Sequence, residues 1–126
     1  MRLRLELFVA EIARSRAFYC DALGFAVTGT PGDGYVQLKQ GETILSLNRY
    51  ADLPPDHPIR GTADEPVGLG LEIVLEVDDL EARYEALKAR GVTLLSTLDL
   101  RPWGLRDFRL ADPDGYYLRL TERRPG

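Results

Sequence analysis

The residues of this chain that could do chemistry sit mostly on the polar side of short alternating stretches. In Leu71-Glu72-Ile73-Val74-Leu75-Glu76-Val77 the large apolar side chains fall on every second position, so Glu72, Val74 and Glu76 share the opposite face. The same parity sets Arg4 with Glu6 and Phe8, Ser46 with Ile44 and Asn48, and Arg119 with Tyr117 and Thr121. Aromatic walls with a few ionic and hydrogen-bonding groups are what a small-molecule pocket presents. Glu72 is the candidate base on these faces, with Arg4 or Arg119 available to steady an oxyanion. An arginine on each side of Glu72 would also compensate its charge, since a partly buried carboxylate is retained when paired.

Other chemistries find little support. His57, the single histidine, lies among Pro54, Pro55 and Pro58 and reads as an exposed loop residue. Cys20 follows Phe18 and Tyr19 with no base nearby, which describes a structural thiol, and Ser15 and Ser46 lack a His or Lys at usable spacing for nucleophilic catalysis. Asp112-Pro113-Asp114-Gly115 lacks the spaced ligands of a calcium loop and reads as a turn. Asp78 and Asp79 stand where a strand meets a helix, so Asp79 is expected to be a cap. Arg106 and Asp107 are expected to pair locally and hold the loop that carries Trp103, the only tryptophan.

The elements that must position these residues come in two similar sets. Residues 2–11 read as a strand with Leu3, Leu5, Leu7 and Val9 buried, and 11–24 as a helix closed by Gly24. A short strand over 25–28, a turn at 31–34, and a hairpin of 35–39 with 43–48 complete a β-α-β-β-β module over 1–50. A proline-rich connector, 51–67, follows. Module two, 68–122, repeats the plan with a strand through 71–77, a helix from Asp79 to Gly91 carrying Leu80, Tyr84 and Leu87, a strand over 92–95, a loop over 99–104, and strands over 106–110 and 116–121. The expected fold is α+β: one domain over 1–126, with two tandem modules whose curled mixed sheets surround a cup-shaped pocket.

Composition narrows the partners. A chain of 126 residues with 44% hydrophobic content can bury one ordinary core. A net charge of −4 and a pI near 5.0 offer no basic field for nucleic acid, and Arg14, Arg16, Arg123 and Arg124 read as solvated positions. One cysteine excludes an internal disulfide, no apolar run approaches the roughly 20 residues that cross a bilayer, and no signal-peptide segment opens the chain. A cytoplasmic protein without membrane or nucleic-acid partners is expected.

Three stretches carry a family resemblance across nearly the whole chain: Arg14-Ser15-x-x-Phe18-Tyr19-x-x-x-Leu23-Gly24-Phe25, Val77-Asp78-Asp79-Leu80, and Pro102-Trp103-Gly104-Leu105-Arg106-Asp107-Phe108 leading to Asp112-Pro113-Asp114-Gly115-Tyr116. In order and spacing they resemble the vicinal oxygen chelate superfamily, with its glyoxalases, dioxygenases and bleomycin resistance proteins, and the Trp-Gly-x-Arg-x-Phe piece leans to the bleomycin-resistance branch. The resemblance implies that metal-dependent members draw His or Glu ligands from the positions matched here by Arg4, Ser46, Glu72 and Arg119. Guanidinium groups have no lone pair to offer a metal. A register slip of two would present Glu6 or Glu76 instead. The expected function is therefore metal-free binding or sequestration of an antibiotic-like or aromatic compound, without a cofactor, by a homodimer. The alternatives are a lyase, isomerase or dioxygenase-type enzyme built around Glu72, with a divalent metal on unusual ligands as one form of it, and a non-catalytic accessory module. The ligand-binding candidates are Arg4, Glu6, Phe8, Ser46, Asn48, Glu72, Val74, Trp103, Tyr117 and Arg119.

Overall fold

The computed structural model describes residues 1–62 and 64–124. The chain divides into two compact units, Met1–Glu65 and Pro66–Gly126, so most of the proline-rich connector goes with module one. Among the described residues no helix is long and apolar enough to cross a membrane.

Module one contains β1 (Leu5–Val9), α1 (Ile12–Ala17), β2 (Ala26–Gly32), β3 (Tyr35–Gln40) and β4 (Thr43–Arg49) in the sheet order β1-β4-β3-β2. The outer β1 runs parallel to β4, with Glu6 beside Ser46 and Phe8 beside Asn48, and the other neighbours are antiparallel. Leu7, Val9, Val36, Leu38, Leu45 and Leu47 are buried, and α1 packs on β3 and β4. Leu3, expected in the apolar row, is 75% exposed because β1 begins only at Leu5, where pairing with Leu45 starts.

The expected single helix over 11–24 changes character midway. After Ala17 the chain winds as a π-helical turn over Phe18–Ala22, with the Leu23 amide donating to the Phe18 carbonyl at 3.3 Å. The wider turn buries both Tyr19 and Leu23, and Tyr19 meets Phe18 and Phe25 edge-on with ring centroids 5.0 and 5.9 Å apart. Gly24 ends the stretch at φ 83°, as its lack of a Cβ permits. Strand β2 runs past the expected boundary at residue 28 to Gly32, because a register shift between Thr28 and Gly32 absorbs the irregular residues.

The described part of the connector is irregular apart from a 3-10 turn over Tyr50–Asp52, but one side chain gathers its first half. Arg60 donates to the carbonyls of Pro54, Leu53 and Tyr50 at 3.1, 2.9 and 3.3 Å, and its guanidinium lies 4.7 Å from the Tyr50 ring centroid. His57 is half-buried here rather than exposed, and its Nδ1 accepts the Ile59 amide at 3.1 Å, which is a structural use of the imidazole.

Module two repeats the arrangement with β5 (Ile73–Val77), α2 (Leu80–Ala89), β6 (Asp99–Leu100), β7 (Arg106–Ala111) and β8 (Tyr117–Glu122) in the order β5-β8-β7-β6. Parallel β5 and β8 set Val74 beside Arg119 and Glu76 beside Thr121, the counterpart of Glu6 beside Ser46 and Phe8 beside Asn48. Leu80 and Leu87 of α2 are buried, and Tyr84 meets Phe108 with ring centroids 5.0 Å apart. The expected strand over 92–95 is an isolated bridge, Leu94 with Leu110. The second strand of the module is instead β6, within the expected loop, where Asp99 and Leu100 pair with Asp107 and Arg106. Leu71 stands outside β5 and is 45% exposed.

Asp79 is not a side-chain cap. Its carboxylate accepts from Arg83 Nε at 2.7 Å, and that hydrogen bond holds the Asp79 carboxyl below its ordinary range. The expected Arg106–Asp107 pair is absent as well. Neighbours on a strand point to opposite faces, so Arg106 reaches Glu122 while Asp107 turns to the other side.

Candidate functional site

In module one the sequence-derived residues form a polar row. Asn48 Nδ2 donates to Glu6 Oε1 at 3.3 Å, Arg4 Nε pairs with Glu6 Oε2 at 3.3 Å, and the fully buried Ser46 lies 3.1 Å, Oγ to hydroxyl, from Tyr35. Phe8 is half-buried beside Asn48. A broad depression of about 1330 Å³ in this module is lined by Glu11, Arg14, Arg16, Cys20, Asp33 and Arg49, and none of the five predicted residues borders it. Burial pushes the Cys20 thiol up, against the opposing pull of Arg16, which is the wrong direction for a nucleophile.

Module two brings its predicted residues closer together. A groove of about 280 Å³ is bordered by Val74, Glu76, Trp103, Leu105, Arg119 and Thr121. A neighbouring hollow of about 390 Å³ takes in Glu72 and Tyr117 with the 66–71 segment, where Gly68, at φ +66°, backs onto the Tyr116 ring so closely that a Cβ would fall 2.6 Å from it. The ion pair between Arg119 Nη2 and Glu72 Oε1, at 3.3 Å, joins the two hollows. Tyr117 therefore lies with Glu72 and not beside Trp103, a separation that strand parity alone does not reveal. Arg119, one of the two arginines expected to flank Glu72, does so, and within module one Arg4 pairs with Glu6.

Trp103 is half exposed at the tip of a loop closed by two backbone hydrogen bonds, Arg101 amide to Leu105 carbonyl at 3.0 Å and Gly104 amide to Arg101 carbonyl at 2.9 Å. Its indole lies against Arg119, whose guanidinium carbon is 5.7 Å from the ring centroid. The loop is anchored by Asp107, which the sequence reading assigned only to a local pair. Asp107 is wholly buried, and its Oδ1 accepts from Arg101 Nε at 2.7 Å. Arg101 also donates to the Thr97 carbonyl at 3.2 Å and Ser96 Oγ at 3.3 Å. Two further guanidiniums, of Arg109 and Arg119, approach Asp107 Oδ2 at 3.7 Å each. The available signal was parity: Asp107, Arg109 and Arg119 fall on the face away from buried Phe108, Leu110, Leu118 and Leu120.

The donor set does not suit the family's metal. Two of the four matched positions carry guanidinium, one of them, Arg119, is held by carboxylates, and Ser46 is buried against Tyr35. Among the described residues no group of three or more His, Cys, Asp or Glu side chains is placed to hold a metal ion.

The two repeated sheets, each with its helix on one face, define the class, and sequence comparison agrees with it. Residues 3–120 match the family model for the Glyoxalase/Bleomycin resistance protein/Dioxygenase superfamily, and the chain belongs to that superfamily. It is 30% identical over 121 residues to a bleomycin resistance protein of Geobacillus stearothermophilus, covering 91% of each chain. Among solved structures, a bleomycin-binding protein complexed with bleomycin matches with a TM-score of 0.70 at 25% identity, covering 98% of this chain and 99% of that one. A protein of unknown function from Agrobacterium tumefaciens matches at 0.76 and 28% identity, covering 98% of this chain and 95% of its own.

Proposed function

We propose that this protein binds a small, flat, partly aromatic molecule without a metal or cofactor, and that it acts by holding or sequestering it. The observation that carries the reading is the half-exposed Trp103 over a groove whose other wall is Arg119, paired with Glu72. An aromatic face beside paired donor and acceptor groups suits a ring with polar edges. The likeness to proteins named for bleomycin resistance and bleomycin binding supports a binding role. Bleomycin itself is not the expected ligand, because Arg119 and Arg124 border the groove beside Glu76, with Arg119 paired to Glu72, and give a cationic drug no acidic excess.

Since Trp103 is the only tryptophan, intrinsic fluorescence reports on the groove directly. Within a library of aromatic natural-product-like compounds, some members quench or shift its emission, and Glu72→Ala changes their affinity about fivefold or more by removing an acceptor and freeing Arg119. Bleomycin produces little change. Tight, salt-sensitive bleomycin binding would overturn the charge argument, and a Trp103 signal indifferent to the whole library would favour an accessory module with a vestigial pocket.

Two further results belong to the same reading. Elemental analysis of dialysed protein should find no stoichiometric zinc, nickel, manganese or iron, and chelator should leave the melting temperature unchanged; a near-stoichiometric metal returns the protein to the enzyme class. The chain should also behave as a homodimer, since exposed Leu69, Leu71 and Leu100 are apolar surface a second copy could cover. Light scattering after size exclusion then reads twice the 14.1 kDa chain mass, whereas a single-chain mass at micromolar concentration rejects the dimer.

A further inference from the structure

Arg109 on β7 and Arg119 on β8 stand directly opposite each other in the antiparallel ladder. Like charges at such positions repel, so the arrangement needs negative charge beside it. What lies beside it is in effect half a carboxylate. Asp107 commits Oδ1 to Arg101 at 2.7 Å, and its Oδ2 makes no hydrogen bond while sitting 3.7 Å from both Arg109 and Arg119. Glu72 adds a partner at 3.3 Å for Arg119 alone, from a side chain 38% exposed. With Glu76 and Arg124, which border the same groove, the set is Arg101, Arg109, Arg119 and Arg124 against Asp107, Glu72 and Glu76, four positive charges to three negative. The Nε groups of Arg109 and Arg119 are buried without an acceptor among the described residues. One additional anionic acceptor at the terminal guanidinium nitrogens would relieve the repulsion, while the Nε atoms have no accessible surface for a ligand to meet.

We infer that Arg109 and Arg119 together form a receptor for the carboxylate of an aromatic acid whose ring lies against Trp103. A planar group with two acceptor oxygens matches the guanidinium fork, and its single charge matches the single unpaired one. A doubly charged phosphate would add repulsion from Asp107 and Glu72. Trp103, against Arg119, supplies the apolar wall for the ring, and about 280 Å³ has room for a one- or two-ring acid. Asp107 acts here as a positioning residue, holding both guanidiniums and, through Arg101, the Trp103 loop. The inference rests on the reading of this groove as a ligand site; it adds a ligand class and extends the site from Arg119, which borders the groove, to its cross-strand partner Arg109 beyond the groove's own lining.

The test compares 4-nitrobenzoate with 4-nitrobenzamide, which share a shape and differ in charge, by calorimetry and by the single indole N–H resonance of Trp103. The acid moves that resonance and binds about tenfold more tightly than the amide, and high salt narrows the gap. Arg109→Met removes the acid's advantage and leaves the amide's affinity unchanged, with circular dichroism confirming the fold. Should that variant not fold, Arg109→Lys, which keeps the charge and loses the fork, lowers the preference severalfold. Equal binding of acid and amide, both moving Trp103, overturns the carboxylate receptor and leaves the groove reading intact. Failure of both compounds to move Trp103 overturns the two together.

Discussion

Replacing Asp107 with alanine should lower the thermal unfolding midpoint by about 10 °C or more, the largest effect expected of any polar substitution in module two. The carboxylate is wholly buried among Arg101, Arg109 and Arg119, which are themselves only 20%, 24% and 18% exposed. Its removal leaves three guanidiniums facing one another with Glu72, on Arg119, as their remaining ion-pair partner, and breaking a buried ionic group in this way costs about 3 kcal/mol or more. The loss is electrostatic, so high salt should restore part of it. Asp107→Asn keeps the volume and an acceptor for Arg101 and should lose less. Because Arg101 anchors the loop bearing Trp103, the alanine variant's native emission should shift as well. A midpoint within about 2 °C of the wild type would show that the cluster contributes no net stability.

The neighbouring residue gives the second large effect by an unrelated route. Phe108→Ala should cost about 3–5 kcal/mol, read as a lower urea midpoint at unchanged slope. Phe108 has no exposed surface and meets Tyr84 of α2 at 5.0 Å, so truncation opens a cavity where the helix seats on the sheet. Phe108→Leu should recover most of the loss by refilling volume. Salt should not rescue Phe108→Ala, and its folded fraction should keep the Trp103 emission of the wild type. Two adjacent substitutions with opposite salt behaviour would confirm that β7 separates an apolar core face from an ionic one. A loss under about 1 kcal/mol for Phe108→Ala would contradict that division.

What was legible in the sequence follows from local periodicity. Side chains alternate along any strand, so the 71–77 pattern was enough to put Glu72, Val74 and Glu76 on one face and to separate them from Ile73 and Leu75. Glycine at residue 24 and the Leu80, Tyr84, Leu87 spacing marked the helices for equally local reasons. The duplication of the β-α-β-β-β plan, and with it the superfamily, came from the order of such segments. The mismatch with a metal's donors came from residue chemistry alone.

Partnership across strands was decided only by the tertiary structure. Sequence proximity suggested Arg106 for Asp107, yet adjacent residues on a strand diverge, and the real partners arrive from a preceding loop, from two residues along the same strand and from the next strand. Their meeting depends on the β7–β8 register that sets Arg109 opposite Arg119, and a ladder's register is a property of two segments that neither encodes alone. The π-helical turn at Phe18–Ala22 was hidden for a similar reason, since the choice between windings depends on what must be buried beneath Tyr19 and Leu23. The division of Tyr117 and Trp103 between two hollows likewise came from the path of the 99–105 chain, whose short pairing with β7 leaves little periodicity to read. Alternation along the backbone thus determined which face each candidate occupies, and the long-range pairing of strands decided which charges meet there.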